Sequence, residues 1–318
     1  MITYLSHWCH QYTLKSLKDE KLFHCLSYDE LFRRKRTPVG VYVFADLDRL
    51  SSWELELAAI VYRLLQQGGA RVLNDPAQAR TRFSLLKTLH RERINDFGVY
   101  RPSLGEWPDR YPVFVRRDDF HSGVLSELIE SEEKLREALV VVAGDGVPDA
   151  NVMVVEYAAQ AIQEGLFRKQ AVYRVGGSYF RDLSVHEKNW VTKNGEEGVA
   201  GEALYQEELD QMHQVPFLES VQRVFNLAKI EYGRVDFGVV DGCPQFYEIN
   251  TNPTVGFSPL GHPYEQRKQS QQIFKDNYRA AILRLDEPMA KGQVRLEHSF
   301  LRRQRNKSRW RSWSHPSI

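Results

Sequence analysis

Arg234, Asp236, Glu248 and Asn250 are the residues of this chain whose types and spacing can do chemistry. They fall on two short runs, Tyr232-Gly-Arg-Val-Asp-Phe-Gly238 and Gln245-Phe-Tyr-Glu-Ile-Asn-Thr-Asn-Pro253. Both runs are rich in β-formers, and Asp241-Gly242 between them is a turn signal. Pairing the runs as a hairpin about Gly242 predicts Asp236 opposite Glu248 and Arg234 opposite Asn250. Side chains alternate along a strand, so all four share one face. Val235, Phe237, Val239, Tyr247 and Ile249 then point toward a core. Two carboxylates directly opposite each other repel. The pair is best tolerated with a cation between them, and oxygen donors suit Mg²⁺ or Mn²⁺. On this account, removing one carboxylate relieves the metal-free hairpin. The bland alternative is an acidic, solvated hairpin.

The rest of the chain must hold that hairpin. Its 318 residues are enough for two or three lobes with cores, and 42% apolar with 27% charged residues is an ordinary globular composition. A net charge of +1 argues for no polyanionic partner, so nucleic acid is not expected. Three cysteines without close pairing, Cys9, Cys25 and Cys243, argue against a disulfide framework. No apolar run approaches a membrane span and the N-terminus lacks a signal-peptide pattern, so the expected location is cytoplasmic. Cys9-His10 and His24-Cys25 complete no zinc site and are expected to be packing or surface residues.

Residues 1–38 are mixed and end in the basic run 33–36. Val41-Tyr-Val-Phe-Ala45 is predicted as a buried parallel strand. Ser51-x-x-Glu54 is a capping box opening a helix to about Gln66, and Arg71-Val-Leu73 is a second strand. This unit predicts an α/β lobe. Asp46 and Asp48, at a strand's carboxyl end, are candidate contacts or plain turn residues. A helix after Asn74-Asp-Pro76 runs to about Arg91. Strands are predicted over 111–116 and 153–157, a hairpin about Gly176-Gly177, and helices over 201–213, 217–229 and 263–285. The stretch from His186 to Trp190 has no assignable role. The tail, residues 301–318, is strongly basic with two tryptophans. It is either an arm for an anionic partner or a disordered or peripheral helix end.

The series Arg234, Asp236, Glu248, Asn250 and Pro253 resembles the C-terminal signature of the ATP-grasp superfamily: Arg-x-Asp, a turn, then Glu-x-Asn and Pro. The resemblance covers about 40–285. It implies α/β and α+β architecture: an N-terminal α/β lobe (1–75), then an ATP-grasp region (76–300). That region would hold a small central lobe (about 110–180) and a C-terminal metal-hairpin lobe (about 181–300). It implies ATP with Mg²⁺ or Mn²⁺ on Asp236, Glu248 and Asn250, and Arg234 at the transferring phosphoryl group. Arg116 stands where the family usually has a phosphate lysine, with Arg117 beside it. A second phosphate cation falls near Arg80 or Arg82. Both arginines depart from the usual lysine, and the change is not neutral. The 118–123 loop would cover the phosphates. Glu156 and Tyr157 match the hinge that reads adenine, Glu164 is either the ribose acid or an exposed-loop glutamate, and Arg174 could face phosphates, substrate or solvent. The implied reaction joins a small-molecule or peptide carboxylate to an amine, or less often a thiol, through an acylphosphate. A kinase on the same fold and a nucleotide-binding regulator are the alternatives, and a homo-oligomer stays open.

Overall fold

A computed structural model of the chain describes residues 2–20, 23–118, 123–255, 262–286 and 291–311. Most of the expected phosphate-covering loop (119–122) and the end of the basic tail (312–318) lie outside the described residues.

The N-terminal lobe begins with a strand that the sequence pattern leaves unassigned. β1 (Ile2–Ser6) is buried along its whole length, so it carries no polar–apolar alternation. A 3₁₀ segment (Trp8–Glu20) leads to β2 (Phe23–Ser27), α1 (Tyr28–Arg33), β3 (Arg36–Pro38), β4 (Val41–Phe44), α2 (Ser52–Gln67) and β5 (Arg71–Leu73). Four of these strands form a parallel sheet in the order β2-β1-β4-β5. The Ser51–Glu54 capping box starts α2 as expected.

The central part opens with α3 (Arg82–Arg91), which begins later than the Asn-Asp-Pro signal suggests. Asn74 is left-handed at φ 64°, and the helix starts where the Thr81 hydroxyl accepts the Ser84 N–H at 3.3 Å. Then come β6 (Val99–Tyr100), β7 (Val113–Arg117), α4 (Glu132–Gly144) and β8 (Val152–Glu156). They build a small antiparallel sheet, β6-β8-β7, with Leu135 and Val142 of α4 packed on Val113, Val115 and Val154.

The third part contains β9 (Ala161–Gln163), β10 (Leu166–Val175), β11 (Ser178–Arg181), β12 (Val185–Glu187), α5 (Glu202–Gln211), α6 (Leu218–Ala228), β13 (Tyr232–Val240), β14 (Cys243–Asn250) and α7 (Glu265–Leu283). Its main sheet is antiparallel in the order β11-β10-β13-β14. β14 is an edge strand, and Asn95 covers that edge. Its side-chain amide gives 2.8 Å to the Phe246 carbonyl and takes 2.9 Å from the Phe246 N–H. The mixed α/β and α+β arrangement expected from the sequence is the one observed.

The chain then returns to its start. β15 (Gln293–Arg295) pairs with β3, and α8 (Ser299–Arg311) lies against α1. Leu301 is fully buried there. The Arg305 guanidinium donates to the carbonyls of Phe32 at 2.9 Å, Leu296 at 2.9 Å, and Arg34. Through residue 311 the tail is therefore a docked helix, not a disordered end. The Phe32 and Arg34 carbonyls gave no signal in the sequence because they lie 273 and 271 residues away in the chain.

Asn74 pins the N-terminal sheet to the site. Fully buried, it donates to the carbonyls of Phe44 (3.0 Å) and Tyr232 (2.8 Å) and accepts from the N–H groups of Glu231 (2.8 Å) and Tyr232 (2.9 Å). Asn74→Ala removes the side-chain partner of four backbone groups, three of them in buried bonds, and puts a Cβ-bearing residue without a local hydrogen bond in the left-handed region. It is expected to cost about 3 kcal/mol, read by chemical denaturation. A loss under about 1 kcal/mol would show that the lobes are held together elsewhere.

Candidate functional site

The β13–β14 register is the one the sequence predicts: Arg234 faces Asn250 and Asp236 faces Glu248. The route to it differs. Asp241 and Gly242 both have positive φ, 48° and 79°, which makes a two-residue type I′ turn between Val240 and Cys243. That turn alone would put Asp236 out of line with Glu248. A bulge between Asp236 and Phe237 restores the pairing and leaves Tyr247 as the extra residue. Tyr247 then reaches across to the Ala158 carbonyl at 2.9 Å. A Cβ at Gly238 would come within 2.2 Å of the Tyr247 hydroxyl, so the Tyr247 ring keeps this position only over glycine. Val235, Phe237 and Phe246 fill the core beneath, against Leu85, Leu86 and Leu89 of α3.

The carboxylates do not face each other bare. Glu248 takes an ion pair from Arg82 at 2.6 Å and from Arg116 at 3.1 Å. Asp236 is held by Arg234 through two parallel bonds, Nε–Oδ1 2.7 Å and Nη2–Oδ2 2.9 Å, with Lys169 at 3.6 Å. Arg234 also reaches Asp182 at 3.3 Å. Guanidinium groups already balance both carboxylates, which argues against relief of the hairpin when one is deleted.

Burial and the neighbouring Arg82 push the Arg116 guanidinium down to about 10, with Glu248 opposing, so it stays charged near neutrality. Burial opposes the charge on Arg234, but Asp236, Tyr173 and Asp182 outweigh it and raise its titration above the usual range. Burial lifts the Asp182 carboxyl above its ordinary value, although Arg234 pulls it back.

Arg116, Lys169, Arg234, Asp236, Glu248 and Asn250 line one end of a cleft of about 430 Å³ that runs between the central sheet and the hairpin, with Arg82 and Asp182 behind them. The opposite wall is apolar and aromatic. Trp190 packs on Phe114 with ring centroids 4.8 Å apart and meets Tyr157 edge-on at 5.6 Å. The donor set on the hairpin is two carboxylates and the Asn250 amide. Among the described residues, no group of three or more His, Cys, Asp or Glu could hold a metal by itself. Two carboxylates and an amide fit Mg²⁺, which usually takes one or two carboxylates together with phosphate oxygens rather than an all-protein cage.

Of the residues singled out from sequence, the structure gathers Arg82, Arg116, Arg234, Asp236, Glu248 and Asn250 around the hairpin. Tyr157 and Glu156 line the cleft. The Glu156 carboxylate, however, is buried and committed to the Gly98 N–H (2.7 Å), the Tyr100 hydroxyl (2.8 Å) and Arg110. Any hinge contact there falls to backbone. Glu164 sits exposed in the β9–β10 turn beside Gly165 and is not among the cleft-lining residues. Arg80 is exposed and bonds the Leu227 carbonyl, and Arg174 is taken by Asn226 and the Ile230 carbonyl. Asp48 is exposed.

Sequence reasoning missed Lys169, Trp190 and His10, all of which line the cleft. Lys169 lies in a strand where cations are ordinarily solvated. Trp190 sits in the stretch without an assignable role. His10 was expected to be a packing or surface residue, yet its Nδ1 is 2.8 Å from buried Asp46. No short-range pattern links residues 36 positions apart.

No family model and no curated protein matches the chain. Solved structures resemble it at low identity. The D-alanine–D-alanine ligase of Bacillus anthracis complexed with ATP is 13% identical, with 90% of this chain and 98% of that one covered, at a TM-score of 0.45. The D-alanine–D-alanine ligase of Coxiella burnetii is 14% identical, with 98% of each chain covered, at 0.47. A RimK domain ATP-grasp protein of Sphaerobacter thermophilus is 13% identical, with 86% and 100% covered, at 0.43. All three TM-scores lie below 0.5, so the functional reading rests on the hairpin and cleft.

Removing Glu248 strands two arginines against each other. Glu248→Ala is expected to destabilise the nucleotide-free protein by about 3 kcal/mol, as when one partner of a buried ion pair is deleted. Glu248→Gln, which keeps an acceptor, should cost less. Equal or greater stability of Glu248→Ala in urea unfolding would mean that repulsion between carboxylates dominates after all.

Proposed function

We propose that this chain is an ATP- and Mg²⁺-dependent ligase of the ATP-grasp type, joining a carboxylate to an amine through an acylphosphate. The observation that carries this is the one-faced register of Arg234, Asp236, Glu248 and Asn250, set at the charged end of a cleft with an aromatic wall. The charge balance supports it. Arg82, Arg116, Lys169 and Arg234 surround Asp182, Asp236 and Glu248, leaving one cation in excess. An excess positive corner in a partly buried site attracts phosphate.

ATP enters as substrate with adenine against Trp190, Phe114 and Tyr157 and its phosphates toward the hairpin. Arg116 and Arg82 turn from Glu248 to the phosphates, which frees that carboxylate. Asp236, Glu248 and Asn250 would hold Mg²⁺, which neutralises the charge that builds on the phosphates. Arg234 faces the γ-phosphoryl group and stabilises its equatorial oxygens as a substrate carboxylate attacks in line. Arg234 is already oriented by Asp236 and Asp182, so little reorganisation accompanies the transfer. The acylphosphate then yields to an amine and phosphate leaves. No covalent enzyme nucleophile is required.

Two measurements test this. Unfolding with a non-hydrolysable ATP analogue and Mg²⁺ should raise the midpoint by about 3 °C at 100 times Kd, and Asp236→Ala should abolish the Mg²⁺-dependent part. A panel of carboxylates with ATP, Mg²⁺ and hydroxylamine should give hydroxamate, since hydroxylamine captures acylphosphates directly. Nucleotide binding with a phosphorylated hydroxyl product and no hydroxamate would make the protein a kinase. Binding without any turnover would make it a regulator.

A further inference from the structure

The cleft has a third wall that the nucleotide and metal reading leaves unused. It comes from the N-terminal lobe: His10, Tyr12, Thr13 and Arg49, meeting Asn252 and Thr254 from the segment after the hairpin. At its back lies Asp46, 1% exposed, in the left-handed region at φ 60° immediately past β4. A left-handed aspartate at a strand's carboxyl end aims its side chain where an extended one would not. Its Oδ1 is 2.8 Å from His10 Nδ1, and its Oδ2 accepts the His7 N–H at 3.0 Å. Arg49 Nε lies 3.5 Å from the same Oδ1.

A carboxylate only accepts hydrogen bonds, so in the neutral form of His10 the proton sits on Nδ1, toward Asp46, and Nε2 presents a lone pair. His10 is 13% exposed, in the cleft lining. The wall is tied to the hairpin. The Asn250 amide oxygen accepts the Asn252 N–H at 2.8 Å. The Asn252 side chain in turn accepts from Thr13 at 2.6 Å and Tyr4 at 2.8 Å and donates to the His10 carbonyl at 3.3 Å. His10 therefore has a fixed position relative to the phosphoryl-transfer face.

We propose that His10, oriented by Asp46, is the proton acceptor for the nucleophile in the second half of the reaction, and that the nucleophile is an amine that also carries a carboxylate. The proposal rests on the ligase reading above. The ammonium is drawn to the buried negative charge of Asp46 behind the imidazole, and the carboxylate to Arg49 beside it. His10 Nε2 takes one proton from the ammonium. The freed lone pair attacks the carbonyl carbon of the acylphosphate. The C–O bond to phosphate breaks, phosphate departs with that electron pair, and it takes the second proton lost by the nitrogen. An amide and hydrogen phosphate result, and the imidazolium returns its proton to solvent. His10 is the catalytic group, and Asp46 is a positioning residue.

The test compares two nucleophiles on one activated carboxylate. Hydroxylamine is largely unprotonated at neutral pH and needs no proton acceptor, whereas amino-acid ammonium groups do. With a carboxylate that gives hydroxamate, each proteinogenic amino acid and its carboxamide are offered to the full-length protein. Wild type is expected to ligate a free amino acid in preference to its carboxamide. In His10→Gln, and to a lesser degree in Asp46→Asn, the ratio of ligation to hydroxamate formation should fall about 100-fold, the low end of general-base catalysis. A parallel fall in both rates would mean that His10 only supports the fold. No change in the ratio, or no amino acid ligated by wild type, would overturn the proposal while leaving the ligase reading in place. Absence of hydroxamate in wild type with every carboxylate would remove both.

Discussion

Two carboxylates directly across a strand pair set the electrostatic problem that the rest of this site answers. The hairpin's register forces them together, and the turn and bulge forbid any slip. A one-residue slip would exchange the polar face for Val235 and Ile249, which sit over a packed core. The chain therefore cannot separate Asp236 from Glu248 and must neutralise them. It does so with groups from three different elements: Arg82 at the start of α3, Arg116 near the end of β7, and Lys169 on β10, in addition to Arg234 on the same strand. Convergence of these elements on the hairpin draws the central sheet over it and creates the cleft.

That dependence explains which parts could be read in the sequence. The hairpin was legible because every signal in it is local: alternation, an Asp-Gly turn, and donors two residues apart. The bulge at Tyr247 was not legible, because it depends on the space over Gly238 and the distant Ala158 carbonyl. The capping box of α2 was legible for the same local reason, whereas β1 was not. As a central strand it is buried on both faces and includes Thr3 and Ser6, so its five residues look like no single pattern. Glu164 illustrates a position that resemblance alone leaves open: it lies exposed in the β9–β10 turn, outside the cleft lining.

Side-chain amides do much of the joining between lobes. Asn74, Asn95 and Asn252 each use both the donor and acceptor ends of one amide to bind backbone or side chains from another part of the chain. A buried amide serves as a short piece of strand that needs no continuous backbone. It contributes less by net hydrogen-bond energy, about 1 kcal/mol for each bond, than by the larger penalty for leaving its partners unmade. Such joints fix the relative position of elements without requiring an extensive apolar interface, and an asparagine in the sequence does not reveal which carbonyl it will meet.

The arginines in place of lysine follow from the same electrostatic constraint. A lysine at position 116 would be a compact charge that burial could discharge, and Glu248 would then lose a partner. A guanidinium keeps its charge even with burial and Arg82 acting against it, since its titration stays near 10. Its planar fork also lets Arg116 and Arg82 share one carboxylate from two directions. The cost is a site whose resting state is already well paired, so under the proposed function an incoming triphosphate would compete with Glu248 for both guanidinium groups. Phosphate carries more charge than a carboxylate and offers more acceptor oxygens, so the exchange would favour it, and each arginine that left would expose a carboxylate oxygen that a divalent cation could take. On that proposal anion and cation would enter together, each making room for the other, which is the coupling that phosphoryl transfer without a preformed metal cage would require.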